Sequence, residues 1–123
     1  MRSAFLKISL IVLLFLARPI AASAHEVDIS FTRSVSDTGA VGSGYTVWRL
    51  SGTCPSSVTD TSQFTPLNSN FLTVTTYSDL TVVPGSYCYV VTFTNASGTS
   101  VPSPTASATV LPAAPVLHIG PIN

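Results

Sequence analysis

The chain of 123 residues is long enough for one domain, and it carries only five basic and five acidic residues. Three of the basic residues lie within the first 18, so residues 25–123 hold two arginines, five acidic residues and no lysine, a net charge of −3. A mildly acidic chain without lysine excludes nucleic acid and anionic membrane surfaces as expected partners.

Residues 1–24 have the pattern of a secretory signal peptide. A short positively charged stretch precedes an apolar core at residues 8–17, and Ala22–Ala24 forms a small-residue cleavage site. The alternative is a membrane anchor, but the apolar run, even counted from Ala4, is about 14 residues long, whereas a spanning helix needs roughly 20. We therefore expect cleavage after Ala24 and a secreted, extracellular or periplasmic protein with no membrane span in its mature form.

Alternation of apolar and polar residues predicts β-strands throughout residues 25–111. The clearest case is Pro84–Gly98, where aromatic and branched residues fall on every second position between two turn signals. Weaker strands are predicted at 26–32, 44–50, within 71–79 and at 103–111, with an edge strand at 63–67 that contains Pro66. The inward-facing positions predict a core of Val27, Ile29, Phe31, Tyr45, Val47, Tyr87, Tyr89, Val91 and Phe93.

Short strands with turn signals every 8 to 12 residues are typical of an all-β sandwich, which we predict for residues 25–111. Residues 112–123 form a tail with three prolines. The tail fits an extended linker, but its apolar residues Val116, Leu117 and Ile119 also fit a docked segment. Both interpretations stay open.

The strand pattern resembles that of a fibronectin type III domain. The family's penultimate strand has an aromatic residue, Val, Asn and Gly at fixed spacing, and the sequence matches it at Tyr87, Tyr89, Val91, Phe93, Asn95 and Gly98. Tyr45-x-Val47, Thr76-Tyr77-x-Asp79 and residues 103–111 resemble three other strands of the family, so the likeness covers about residues 26–111. It implies an immunoglobulin-like antiparallel sandwich that serves as an extracellular interaction or adhesion module, or as a spacer, without catalytic activity.

The resemblance also implies a vacancy. Cleavage after Ala24 leaves almost nothing ahead of the family's second strand, so the first strand would be absent. A sandwich that lacks a strand has an exposed edge that invites strand addition. Val116–Ile119 resembles the beginning of such a first strand, and it could fill the vacancy in its own domain or in a neighbouring copy, which would give a strand-exchanged homo-oligomer.

Cys54 and Cys88 are the two cysteines of the chain, and in an exported protein an even pair predicts a disulfide. Cys54 follows the strand that is the antiparallel neighbour of the Cys88 strand in the resembled family. A redox or metal site is disfavoured, because the sequence has no C-x-x-C pair.

Trp48 is the candidate for an exposed aromatic binding residue, together with Leu50 and Val90 on the outer face of the same predicted sheet. Exposed aromatic strips bind sugar rings or protein surfaces. A carbohydrate-binding module is therefore the alternative function. The opposing interpretation is that Trp48 packs on the disulfide and on Val90.

No catalytic residue, metal site or cofactor is predicted. His25, Glu26 and Asp28 lie close together, but a solvated strand edge is the favoured interpretation over a metal site. The sequence has no G-x-S-x-G motif, which disfavours a serine hydrolase. Asn95 begins a glycosylation sequon but is better explained as a turn residue. The sequence thus leaves the partner as an unknown extracellular protein or glycan.

Overall fold

The structure, a computed structural model, describes residues 8–12 and 25–121. Within these ranges every regular element is a strand and there is no helix. The strands are β1 (Ile8–Val12), β2 (Val27–Phe31), β3 (Gly44–Ser51), β4 (Thr65–Pro66), β5 (Thr76–Asp79), β6 (Gly85–Asn95), β7 (Gly98–Thr99) and β8 (Ala106–Val110). The chain is therefore an all-β protein, as the alternation predicts.

Two antiparallel sheets form a sandwich. The first has the order β1-β2-β5, and the second has the order β4-β3-β6-β7, with β8 also paired to β6. Strand β6 is the centre of the second sheet, because it pairs with β3 along one side and with β8 and then β7 along the other. Its predicted central position is confirmed.

The core lies between the inner faces of the two sheets. Every second residue of β2, β3 and β6 faces this space, which is the geometric consequence of the strand period of two. All nine predicted core residues are buried there, joined by Val82, Ala108 and Val110. At one end of the core the rings of Phe31, Tyr45 and Phe93 form a row with centroid separations of 4.8 and 5.0 Å.

The smaller elements differ in detail from the sequence prediction. The strand predicted at 63–67 shortens to Thr65–Pro66, and it lies at a sheet edge as the proline requires. The short strand β7 was not predicted. It forms a hairpin with the end of β6, in which Asn95 pairs with Gly98 across a two-residue turn, so Asn95 is a turn residue.

Strand β1 comes from the apolar stretch that the sequence assigns to a signal peptide. It pairs antiparallel with β2, with Ile8 opposite Phe31 and Val12 opposite Val27, and it lies beside β8. Strand β1 thus covers the edge of β2 that the predicted cleavage would leave open. The predicted cleavage site after Ala24 lies outside the described residues.

The C-terminal tail contains no strand from Leu111 to Pro121. Val116, Leu117 and Ile119 are exposed by 76, 84 and 82 %. In the described part of the full chain, the tail therefore docks on neither sheet as a strand. No helix within residues 8–12 and 25–121 has the length and apolar character needed to cross a membrane.

Candidate functional site

The disulfide lies on the outer face of the second sheet. Leu50 of β3 is opposite Cys88 of β6, and the chain turns back after β3 to bring Cys54 within 5.0 Å of Cys88, measured between Cα atoms. The predicted Cys54–Cys88 bridge is confirmed. A disulfide is compatible with an extracellular or periplasmic location.

The three predicted binding residues surround this bridge, but they are largely covered. Val90 has no exposed surface, whereas Trp48 and Leu50 are partly exposed. The indole Nε1 of Trp48 donates a hydrogen bond to Thr92 Oγ1 at 3.0 Å. Trp48 therefore forms part of a packed outer cluster.

Phe64 is the residue of this cluster that the sequence analysis missed. It is 8 % exposed and packs with Cys88 and Val90, and Val58 of the same loop adds to the cover. Val58 lies in an irregular Ser/Thr-rich loop, and Phe64 lies where that loop enters the predicted edge strand 63–67, which is too short to show a period that marks a buried face. An isolated phenylalanine within such a polar loop was the available signal.

An ion pair with a buried carboxylate lies at the end of the core where β5 stops and β6 begins. Asp79, which is 1 % exposed, accepts hydrogen bonds from Arg49 Nη1 at 2.9 Å and from the Tyr89 hydroxyl at 2.8 Å. Its second oxygen accepts from the Thr81 amide at 3.0 Å and hydroxyl at 2.7 Å. Arg49 also lies over the ring of Tyr87, 5.2 Å from its centroid.

The hydrogen bonds decide the ionisation of this group. Burial raises the pKa of Asp79, but bonds from Thr81, Tyr89 and Arg49 outweigh burial, so the pKa lies below its usual value. Burial, together with the bond to Asp79, raises the pKa of Tyr89. Both oxygens of the Asp79 carboxylate are thus occupied by donors of the protein itself, so we assign this network a structural role.

The loop between β2 and β3, residues 32–43, presents apolar side chains on two turns. The Asp37 amide donates to the Ser34 carbonyl at 3.0 Å, which makes Val35 the first central residue of one turn. The Ser43 amide donates to the Ala40 carbonyl at 3.2 Å, so Val41 is the first central residue of a second turn. Turn centres usually carry polar residues or glycine, so two valines there need an explanation.

Gly42 follows Val41 with a φ of +85°, the conformation that the third residue of a type II turn requires. This conformation directs the chain back toward β3 and leaves Val41 fully exposed at the tip.

Tyr45 of β3 fixes this loop to the core. Its ring is buried, and its hydroxyl donates to Asp37 Oδ2 at 2.7 Å while accepting from the Ser34 amide at 2.9 Å. Asp37 is held further by Arg33 Nη1 at 2.6 Å and by the Gly39 amide at 3.0 Å. These hydrogen bonds hold the loop in one conformation against β3.

The hydrogen bond between Tyr45 and Asp37 shifts the pKa values of both side chains. The hydrogen bond from Tyr45 is the main cause that lowers the pKa of Asp37. Burial, reinforced by the bond to Asp37, raises the pKa of Tyr45 to about 12. The Tyr45–Asp37 bond consequently persists across the neutral pH range.

Three more exposed apolar side chains lie at this end of the sandwich. Phe71 lies beside Gly44 at the start of β3, and Val74 precedes Thr75, whose carbonyl accepts from the Phe31 amide. Val101 follows Ser100, whose amide donates to the Phe93 carbonyl at 2.8 Å. We call the exposed residues Val35, Val41, Phe71, Val74 and Val101 the loop surface.

The predicted histidine candidates lie away from the loop surface. His25 is at the opposite end of β2, and His118 is exposed in the tail. The carboxylate of Asp28 accepts a hydrogen bond from the Ser78 hydroxyl at 2.8 Å. Among the residues that the structure describes, no group of three or more His, Cys, Asp or Glu side chains is placed to hold a metal ion.

Comparisons with protein-family models and with curated protein sequences found no match for this chain. The functional interpretation therefore depends on the fold and on the surfaces described above.

Proposed function

We propose that the protein is exported by cleavage after Ala24 and acts as an extracellular or periplasmic interaction module without catalytic activity. Its sandwich is interpreted as fibronectin type III-like on the strand motifs given above. The observation that carries the proposal is the loop surface, where an anchored loop displays Val35 and Val41 at the tips of two turns. Exposed apolar side chains grouped at one end of a domain indicate a protein partner.

Order in the loop supports binding. A partner does not have to immobilise residues 34–43, because Tyr45 and Asp37 already hold them. Such preorganisation reduces the entropy lost on binding. The five side chains of the loop surface are all apolar, so the part of the partner that they contact is expected to be apolar as well.

Site-specific photo-crosslinking in the producing cell tests this function. A benzoylphenylalanine at position 41 should form adducts with a defined extracellular or periplasmic protein, which mass spectrometry identifies. Adducts should disappear with Val35→Ser and weaken with Tyr45→Phe, which leaves the apolar side chains in place but removes the loop anchor. The matched control is the same probe at Val83, which is 62 % exposed and precedes β6, away from the loop surface. The same adducts from both positions, or none from position 41, would overturn the proposal.

The alternative of a carbohydrate-binding module has less support. The Trp48 indole already donates to Thr92, and its ring packs in the cluster around Phe64. A sugar ring would need an aromatic face that these contacts partly occupy. Glycan-array binding that Trp48→Ala abolishes would restore this alternative.

A further inference from the structure

We propose that Val116–Ile119 of one exported copy pairs with the edge of β2 in the next copy, so that copies join head to tail. This pairing rests on the proposed removal of residues 1–24, which takes β1 away from β2. Each copy then offers the newly open edge of β2 and an apolar tail segment. An exchange of this kind is heterologous, so it extends into a chain of copies unless the geometry closes a ring.

The open edge follows from the direction of the peptide groups in β2. The Phe31 amide donates to the Thr75 carbonyl at 3.0 Å, so the backbone of Phe31 faces β5. Because successive peptide groups of a strand point to opposite sides, the amides and carbonyls of Asp28 and Ser30 face β1. Removal of β1 leaves these groups unpaired, and such an edge is a template for another strand.

The tail has the chemistry of a strand that could cover this edge. Leu117 and Ile119 fall on one face of an extended segment, and His118 falls on the other with Val116. The face with Leu117 and Ile119 is wholly apolar, so it is the one expected to continue the inner face of β2. Both side chains are more than four-fifths exposed in the full chain, where burial would release their apolar surface from water.

Chain direction prevents a tail from replacing β1 in its own domain with the same antiparallel polarity. Val12 lies opposite Val27, Val27 lies opposite Asp79, and Val110 lies opposite Gly85, which follows Asp79 by a short connection. Strands β1 and β8 therefore end at the same end of the sandwich. A replacement strand must begin toward the other end, near Phe31.

The available link is too short for that path. A four-residue strand over 116–119 that ends opposite Val27 begins opposite Ser30, about 10 Å along β2 at roughly 3.4 Å per residue, and the link must also move sideways by a strand spacing of at least about 5 Å to reach the position of β1. Reversal of the chain before residue 116 needs a turn of at least about two residues. Residues 111–115 then leave three residues, which reach about 11 Å at most. A second copy avoids this limit, because its tail can approach β2 from the far end without reversing.

Oligomeric state of the exported protein tests the pairing. Intact-mass spectrometry first identifies the N-terminus, and light scattering after size exclusion then gives the molar mass over a range of concentrations. We expect a concentration-dependent series at integer multiples of the mass of the cleaved chain. Addition of a synthetic peptide with the sequence of residues 112–121 should shift the series to a monomer with one bound peptide.

Three variants of the full gene locate the contact. Leu117→Asp with Ile119→Asp should abolish the series, whereas Val116→Asp, on the opposite face of the same segment, should leave it. Ser30→Pro removes an amide that faces the β1 position and spares the ladder to β5, so it should also abolish the series. Near-ultraviolet circular dichroism checks that each variant is folded.

The outcomes separate the two proposals. A mass that includes residues 1–24 overturns the proposed export by cleavage, and with it the exchange. A cleaved protein that stays monomeric at all concentrations overturns the exchange alone. A cleaved monomer whose melting temperature falls with Leu117→Asp and Ile119→Asp also overturns it, because the tail then docks in its own domain, parallel to β2.

Discussion

At the scale of single residues, the buried carboxylate of Asp79 is the largest electrostatic feature of the core. A buried charge is strongly unfavourable unless hydrogen bonds and a counter-charge satisfy it. Here one carboxylate receives bonds from Arg49, Tyr89 and Thr81, which together use both of its oxygens. The network joins β3, β5 and β6, and it therefore depends on the assembly of both sheets.

Asp79→Asn is expected to destabilise the protein and to flatten its acid dependence. At pH 7 the loss should be about 2–3 kcal/mol, below that of a fully buried pair because Arg49 is partly exposed. Since the pKa of Asp79 is lowered by folding, its contribution is present above the unfolded pKa of about 3.9 and is lost as pH falls through the folded value. Urea unfolding at pH 7, 5 and 3 measures this.

Asp28→Asn is the matched control, because its carboxylate is bound by the exposed Ser78 hydroxyl. The Asp79→Asn variant should keep part of the acid dependence, since folding also lowers the pKa of Asp37. An Asp79→Asn variant with the full acid dependence of the wild type would contradict the assignment.

At the scale of elements, the start of β3 is packed so closely that it admits no side chain. A Cβ on Gly44 would lie 2.5 Å from the Leu72 carbonyl oxygen and 2.6 Å from Phe71 Cβ. The same segment exchanges two backbone hydrogen bonds with Tyr45, each of 2.9 Å. This contact links β3 to the loop surface.

Gly44→Ala should break that link. Displacement of residues 71–72 is expected to destabilise the protein by about 1–3 kcal/mol, as overpacking does elsewhere. Thermal unfolding measures the loss, and faster hydrogen exchange at the Tyr45 and Leu72 amides would locate it. Gly120→Ala is the control, because a Cβ there meets nothing within 4 Å. Unchanged exchange at both amides would refute the expected displacement.

The sequence predicts the buried faces of the strands, because these depend only on the alternation of apolar and polar residues along each strand. Alternation places Tyr87, Tyr89 and Val91 on one face of their strand irrespective of the tertiary structure. Their burial in the core could therefore be predicted from the sequence. The Arg49–Asp79 pair could not, because its members are 30 residues apart and meet only through the tertiary register. The apolar run at residues 8–12 satisfies both a signal peptide and a strand, so composition alone did not predict β1.

At the scale of the whole molecule, the disulfide joins the outer cluster to the central strand. Cys54 and Cys88 are 34 residues apart. Closing such a loop contributes up to about 4 kcal/mol in the chain-entropy model. That is a large share of the roughly 5–15 kcal/mol typical of a domain.

Replacement of both cysteines by alanine is therefore expected to lower the melting temperature by many degrees. Loss of the bridge should also loosen the cover of Trp48, the one tryptophan of the chain, and increase its quenching by acrylamide. Differential scanning calorimetry and fluorescence measure the two effects. Wild-type protein in reductant serves as the control and should behave similarly. A double variant with wild-type stability would show that the bridge is dispensable.

The pairing of β3 with β6 has a consequence for the rate of folding. Gly44 meets Thr94 and Ser51 meets Tyr87, so the principal ladder joins residues 36 to 50 positions apart. The β2–β5 ladder of the first sheet is equally non-local, since Val27 meets Asp79. Chains dominated by such distant contacts fold in milliseconds to seconds, because loop closure precedes any gain from pairing. The hairpin of β6 with β7 is the most local pairing among the described strands, so its closure costs the least chain entropy and folding is expected to begin there most readily.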